Sequence, residues 1–539
     1  MNGQINPSIT KRTVKQCNWI GIIASLFFFL AGQPFIARLG IQTDEALFAE
    51  PVFDPRATLY SWHIGSFQIP SMLMSYVGCL KSLIYLPIFR FFGAGAYSVR
   101  EPALLMGALS IWLFYLLLRR MAGLRAACIG CCLLAADSLY LLATCFDWGP
   151  VALQHLLLVG AVLLLLKFYQ TLSSVCLAGG FFLLGLAMWD KALAIWMLGG
   201  FAIAGLLVFP RQIWAVTGFR RALVSVAALA LGALPLIVYN VHTNLTTLRE
   251  NTGWDASELP IKAHLLAETA RGRALLGYFN ADDQNTPIPK QPVGWLEKTS
   301  AAMTELDGNW SSGWMLYAFF PALLLAPFAG RNNLRAVAFL LIAMLVAWLQ
   351  IAFNPHTGGS VHHTILLWPW PQAVIAISFA GVSRRMRRFG PPAAAAVVAV
   401  VCVSCLLVTN EYYAKIVRNG GTPQWSAAVY PLAESLRHMG AAYVFATDWG
   451  IFDSILLLNR DRPPVRNGIG AEKNPADMQW ALSDPSNIFV AHAKDAESFV
   501  GVNEKLIDAA EKLGYRRTLL AAIPDGYGRT VFEVYRLTR

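Results

Sequence analysis

The feature that most limits how this chain can fold is a series of about eleven runs, each of roughly 20 mostly apolar residues. They lie near 18–39, 97–118, 125–144, 150–168, 172–189, 192–209, 222–240, 313–329, 333–353, 363–382 and 391–409. Inside a bilayer such a segment has to satisfy every backbone N–H and C=O internally, and a helix does so unaided. Composition agrees: 56% of the residues are hydrophobic, 14% are charged and the mean hydropathy is +0.49, where a soluble domain carries about 25% charged residues. The expected fold is an all-α polytopic membrane bundle. The first run is long enough to span and lacks a small-residue cleavage site, so it reads as a retained helix rather than a removed leader.

The net charge of +11 is explained by topology rather than by a nucleic-acid partner. Basic residues gather in alternate short loops: Lys11, Arg12 and Lys15; Arg119, Arg120 and Arg125; Lys167; Arg211, Arg220 and Arg221; Arg331 and Arg335; Arg384, Arg385, Arg387 and Arg388. Loops enriched in this way face the cytoplasm. The N-terminus is then cytoplasmic and, with an odd number of spans, the C-terminus is extracytoplasmic, in a plasma (inner) membrane. Residues 1–409 form the membrane domain, with long outer loops at 40–96 and 241–312. The first loop reads as short interfacial helices, the second as partly ordered loop with one helix around 260–276. Residues 410–539 form a small α/β domain, with strands in AAYVFATDW, NIFVAHA, RRTLLAAI and TVFEVYRL alternating with helical patterns at 426–438 and 496–513. No Cys follows Cys405, so this domain has neither a disulfide framework nor a thiolate metal site.

Against this background Asp44-Glu45 stands out, because carboxylates at the end of a span are costly. Helix-end polarity is the bland explanation. The chemical one is a general base at the membrane surface, which takes a proton from an acceptor as it attacks. Neighbouring residues on a helix diverge by about 100°, so the two carboxylates have different tasks. Lys81 lies in an apolar interfacial stretch, either as a snorkelling anchor or as a cation for a phosphate. Asp147, in CFDWGP, caps the next helix or faces a substrate. Lys191 marks a tight turn or meets an anion. His362 and His363, in HTGGSVHH, fit no established zinc spacing and suit hydrogen bonding to phosphate or sugar; no metal ligand is assigned. Asp448 and Asp453, in TDWGIFDS, are a sugar-binding turn or a strand end with a helix cap.

Asp44-Glu45 after the first span, SYVGCLKSLIYLPIF, SVREPALLMGALSIWLFYLLLRR, GLAMWDKA and HTGGSVHHTILLWPWPQ together resemble the GT-C superfamily of membrane glycosyltransferases. The resemblance is to glycosyltransferase family 39, which holds the protein O-mannosyltransferases and the bacterial lipid A aminoarabinose transferases. It implies a polyprenyl-phosphate sugar donor, an inverting hexosyl or pentosyl transfer, Asp44 as base with Glu45 supporting it, and Lys81 at the donor phosphate. The acceptor would be a lipid, a glycan or a protein. No cofactor is certain from it, and a divalent cation stays open. The alternative is a transporter or flippase for lipid-linked sugars, although the two related halves common in transporters are not evident.

Overall fold

The computed structural model describes residues 7–539; the side chains of residues 7–18, among them Lys11, Arg12 and Lys15, and of Ala57 lie outside the described part. All the apolar runs are helical, but they differ in kind. Five helices are long and apolar enough to cross a membrane: Ala96–Ala122, Ala152–Thr171, Arg331–Phe353, Val361–Arg385 and Gly390–Asn419. Three runs are bent pairs: Leu124–Ala135 with Ser138–Cys145 (60°), Ala194–Val208 with Pro210–Val216 (99°) and Phe219–Gly232 with Leu234–His242 (73°). Trp19–Phe35, Ser174–Asp190 and Met315–Ala329 are shorter apolar helices. Length and apolarity therefore support five spans, or up to eight, among the described residues. The bends fall where hydropathy averaging is blind. Pro210 and Pro235 open new helices, and Asp137 caps a fresh one by accepting from the Tyr140 N–H at 2.9 Å.

The bundle has the exposure pattern of a body in lipid. Ile22, Ile23, Phe27, Leu206, Leu207, Leu345, Val400 and Val403 point outward. Arg384 donates to the Ala122 carbonyl at 3.0 Å and Arg125 reaches the Ser383 hydroxyl, so basic turns distant in sequence meet at one end. The segments 40–96 and 241–312 and the C-terminal region meet at the other. There Gly40 donates to the Trp425 carbonyl at 2.8 Å, Lys290 to that of Arg418 at 2.8 Å and Ile288 to that of Tyr527 at 3.0 Å.

Segment 40–96 departs from the all-helical expectation. Short helices cover Thr43–Ala46 and Glu50–Phe53, but Tyr60–Ile64, Phe67–Met74 and Val77–Gly78 form an antiparallel three-stranded sheet before the helix Leu80–Phe92. Alternating aromatic and β-branched residues around the Gly65-Ser66 turn carry that preference, with Gly65 at φ +60°. On Leu80–Phe92 the polar or aromatic Lys81, Ser82, Tyr85 and Phe89 are buried, while Leu83, Leu86, Phe91 and Phe92 are exposed, as on a helix lying in the interface. Segment 241–312 holds three helices, Thr246–Asn251, Leu259–Ala270 and Trp295–Asp307, rather than one.

The last long helix runs to Asn419, and a small C-terminal sheet follows. Val444–Ala446 pairs in parallel with Val465–Asn467 and Ile488–His492. Thr530–Thr538 pairs antiparallel with Ile488–His492 and with Arg516–Pro524. This region is joined closely to the start of the acidic segment. Trp425 is fully buried against Phe279 and Phe146, with ring centroids 4.5 and 5.6 Å apart. A Cβ on Gly40 would lie 2.1 Å from the Ser426 carbonyl oxygen. Gly40→Ala should therefore cost about 1–3 kcal/mol by overpacking. It should show as a lower melting temperature in detergent and faster proteolysis of the C-terminal region.

Candidate active site

Asp44 and Glu45 share one helical turn, Thr43–Ala46, and point to different surroundings. Gln42 starts the turn, its side chain accepting from the Asp44 N–H at 2.7 Å. Glu45 is buried and forms a two-pronged pair with Arg100, Nε to Oε2 at 2.7 Å and a second nitrogen to Oε1 at 2.8 Å. Arg100 also donates to the carbonyls of Ile36, Leu39 and Gly40. Its guanidinium thus joins the end of the first helix, the acidic turn and the second span. Glu45 is consumed in this union and has no free face for a substrate.

Asp44 is half-buried and faces the other way. Its Oδ2 accepts from Trp148 Nε1 at 2.9 Å. Burial raises its pKa above the usual carboxylate value, opposed by the Lys191 charge and the Trp148 bond. Lys191 occupies an extended position between two apolar helices, fixed by a strand-like bridge to Val77 and by the Ala192 N–H donating to the Tyr76 carbonyl at 2.9 Å. Its ammonium donates to the Gly149 carbonyl at 2.8 Å. Burial brings the Lys191 pKa down to about 8, with Asp44 resisting the shift.

The turn 146–151 holds the next layer. Asp147 adopts φ +40°, a left-handed conformation rare outside glycine. Its Oδ1 accepts from the N–H groups of Val151 and Ala152, each at 2.9 Å, which caps the start of Ala152–Thr171. Asp147 also forms a buried ion pair with Lys81, whose ammonium lies 3.9 Å from the centroid of the Phe48 ring. Lys81 is therefore neutralised within the protein, and Asp147 is both a cap and a counter-ion. Asp190 is fully buried nearby, with both oxygens unpartnered, in the combined field of Lys81, Lys191 and Asp147.

The two histidines flank the same turn. His362 packs edge-on to Trp148, with centroids 4.7 Å apart, and against Gly149, where a Cβ would come within 2.7 Å of its ring. Its Nδ1 is buried without a partner. His363 accepts at Nδ1 from the Gly358 N–H at 3.1 Å. Asp44, Lys191, Asp147, Lys81 and His362 thus gather around one turn, whereas Glu45 faces Arg100 and His363 is engaged by its own loop. Among the described residues, no group of three or more His, Cys, Asp or Glu side chains is arranged to hold a metal ion.

Sequence reasoning overlooked Trp148, which bridges Asp44 and His362, and Tyr278, whose tilted ring has its centroid 4.5 Å from that of Trp148. The conspicuous CFDWGP turn drew attention to its acid rather than to its indole. Geometry allows this cluster one kind of chemistry in particular. It has a carboxylate able to take a proton and a nearby cation able to receive negative charge, both shielded from bulk water by aromatic rings.

Residues 82–239 match the family described as dolichyl-phosphate-mannose-protein mannosyltransferase. No protein of curated function matches the sequence. The structure is similar to that of ArnT from Cupriavidus metallidurans in the apo state, with a TM-score of 0.53, 13% identity and coverage of 98% of each chain. It is also similar to the Archaeoglobus fulgidus oligosaccharyltransferase in the apo form, with a TM-score of 0.50, 13% identity and coverage of 93% of this chain and 69% of that one. At such identity the likeness is one of fold. The resemblance read from the motifs is met: the chain is a multi-pass membrane protein with the fold of the GT-C glycosyltransferases.

The Glu45–Arg100 union yields a stability prediction. Arg100→Leu leaves a buried, unpaired carboxylate and should cost about 3–5 kcal/mol. Glu45→Leu in the same chain should restore part of that loss. Thermal unfolding of the single and double variants in detergent measures the coupling.

Proposed function

We propose that this protein is a membrane glycosyltransferase that moves a sugar from a polyprenyl-phosphate carrier to an acceptor at the extracytoplasmic face. The observation that carries this reading is that Asp44 and Lys191 meet the same turn, Asp44 accepting from Trp148 Nε1 and Lys191 donating to the Gly149 carbonyl, at the end of the bundle where the long loops gather. The matched family's description names a dolichyl-phosphate sugar donor, which is a polyprenyl phosphate. A lipid-borne leaving group needs a reaction centre at headgroup level, and this cluster sits among the interfacial elements around Leu80–Phe92.

In the proposed reaction Asp44 accepts the proton from an acceptor hydroxyl or amine as that atom bonds to the anomeric carbon. The bond from that carbon to the phosphate oxygen breaks on the opposite side, which inverts configuration, and its electron pair leaves with the phosphate. Lys191, held by the Gly149 carbonyl, meets the growing negative charge. His362, with its unpartnered Nδ1, is placed to hydrogen-bond phosphate or sugar. Lys81 and Asp147 act mainly as a pair that shapes the turn and its field. The acceptor is a lipid, glycan or protein, and the sugar a hexose or pentose. Residues 1–409 carry the reaction, and residues 410–539 form an extracytoplasmic domain over it, with the N-terminus cytoplasmic.

The test is purified protein in liposomes with a labelled polyprenyl-phosphate sugar and an acceptor fraction. Asp44→Asn should lower transfer by about 10²–10⁴-fold while leaving the melting curve unchanged. Full transfer by that variant would remove Asp44 from the mechanism. Scrambling of the labelled lipid without glycosyl product would favour a lipid-linked sugar transporter instead.

The shifted groups also set a pH profile. Asp44 must be ionised to act, and its raised pKa places the acid limb of kcat/KM above the usual carboxylate range. Lys191 must be protonated to act, and its lowered pKa places the alkaline limb near 8. Lys191→Arg should retain activity and move the alkaline limb well above that value, since a guanidinium stays protonated. A limb near 8 that survives this substitution assigns it to another group.

A further inference from the structure

A sugar needs a surface to lie on as well as charges to react with. Its ring is polar at the rim and presents C–H groups on its faces, and those faces pack well on the flat of an aromatic side chain. Five aromatic rings cluster around the turn that Asp44 and Lys191 both meet. Phe146, Phe279 and Trp425 are fully buried and pack edge to face on one another, with centroids 5.0, 5.6 and 4.5 Å apart. Trp148 is also buried, its indole N–H given to Asp44 at 2.9 Å. Tyr278 completes the group. Its ring centroid lies 4.5 Å from that of Trp148 with the planes tilted by 31°, and it is half-buried where the other four are buried.

The backbone under Tyr278 is held from several sides. The N–H groups of Tyr278 and Phe279 both donate to the Leu275 carbonyl, at 3.1 and 3.0 Å, so one turn carries both rings. Neighbours on such a turn diverge, which sends Phe279 into the buried cluster and Tyr278 to Trp148. The Leu275 N–H donates to the Tyr412 hydroxyl at 3.0 Å. Residues 278–281 lie beside 420–422: Thr422 Oγ1 donates to the Tyr278 carbonyl at 2.8 Å, the Thr422 N–H to that of Phe279 at 3.2 Å and the Ala281 N–H to that of Gly420 at 3.0 Å. Gly277, at φ +77°, turns the chain just before Tyr278, and a Cβ built on it would meet nothing within 4 Å, so this edge borders open space. The C-terminal region braces the acidic turn too, where Ser454 Oγ, next to Asp453, donates to the Ile41 carbonyl at 2.9 Å. Asp448 is taken up by His492 Nδ1 and by the N–H groups of Trp449, Ser498 and Phe499, so its turn is an anchor rather than an opening for a sugar.

We infer that Tyr278, backed by Trp148, is the platform on which the sugar of the polyprenyl-phosphate donor packs. This rests on the glycosyltransferase reading and adds to it the surface that receives the transferred group. The placement follows from the neighbours of Trp148. Its indole holds Asp44, and the next residue, Gly149, holds the Lys191 ammonium at 2.8 Å. In an in-line transfer the group between the base and the departing phosphate is the sugar, so a ring stacked on Trp148 adjoins both ends of the reaction. A platform fixed by backbone bonds is ordered before the donor arrives, and little freedom is lost when the sugar settles on it.

The test compares two carriers, polyprenyl-phosphate mannose and bare polyprenyl phosphate, binding to the full chain in nanodiscs without acceptor. Tyr278→Leu should raise Kd for the sugar-bearing carrier by about tenfold, the loss of one stacked ring, and leave Kd for the bare carrier unchanged. Tyr278→Phe, which keeps the ring, should change neither. Equal weakening of both carriers, an unchanged Kd for the sugar-bearing one, or a loss as large in Tyr278→Phe overturns the platform. Should Tyr278→Leu fail to fold, the unaltered protein decides: a carrier with a photoreactive diazirine on its sugar should label the peptide that contains Tyr278, and labelling confined to other segments overturns the inference. Asp44→Asn, run alongside, separates the claims. Full transfer there, with the sugar-selective loss intact in Tyr278→Leu, removes Asp44 as base and supports the platform. Lost transfer there without the selective loss overturns the platform alone. Failure of either carrier to bind the parent protein overturns both readings.

Discussion

Everything at the loop end of this molecule is organised around one buried cation. Arg100 enters from the second span with no exposed surface and donates to both oxygens of Glu45 and to the carbonyls of Ile36, Leu39 and Gly40 beyond the end of the first helix. A guanidinium offers five donors in a rigid plane, and few other side chains could close that many acceptors at once. The cost of burying the charge is offset because the ion pair is two-pronged and the remaining donors are taken up by backbone carbonyls. Through this node the backbone at 36–45 becomes a fixed platform rather than a loop. Asp44 inherits its direction from that platform, since it leaves the same turn as Glu45 on another face.

A second principle is that polar groups are arranged in layers that neutralise one another before a substrate arrives. Lys81 with Asp147 and Glu45 with Arg100 are closed pairs. Asp44 with Lys191 is the looser set, joined by charge rather than by an ion-pair contact and bordered by the unpartnered Asp190 and His362 Nδ1. Unsatisfied buried polar atoms are rare in folded proteins and call for an explanation. Here Asp190 and His362 Nδ1 are two such groups at the turn that carries the group best suited to proton transfer. The same logic recurs where the C-terminal region meets the acidic turn, at which Asp453 keeps an unpartnered oxygen.

Much of the architecture was legible from local rules, and the failures are instructive. Hydropathy found every long apolar helix, yet it did not see the breaks at Asp137, Pro210 and Pro235, because a 20-residue average dilutes a single capping or ring-closed residue. The sheet at 60–78 was read as helix because its apolar character dominated, although the Gly65-Ser66 turn and the alternation around it were present. The strands at 444–446 and 488–492 followed from runs of apolar and aromatic residues. Val465–Asn467 is only three residues long and follows Pro463-Pro464, so it gave no such run.

By itself the sequence determined the membrane bundle, the segregation of basic turns from long loops, and the presence of an acidic pair where the first apolar helix ends. These depend on transfer free energy and local periodicity, which each segment carries within itself. Only the tertiary structure decided that Glu45 turns to Arg100 while Asp44 turns to Trp148 and Lys191, that Lys81 is matched by Asp147, and that Asp453 reaches the same place from about 400 residues away. Those outcomes depend on which charges meet in a low-dielectric interior. Such meetings are set by how helices pack, and no short stretch of residues encodes them alone.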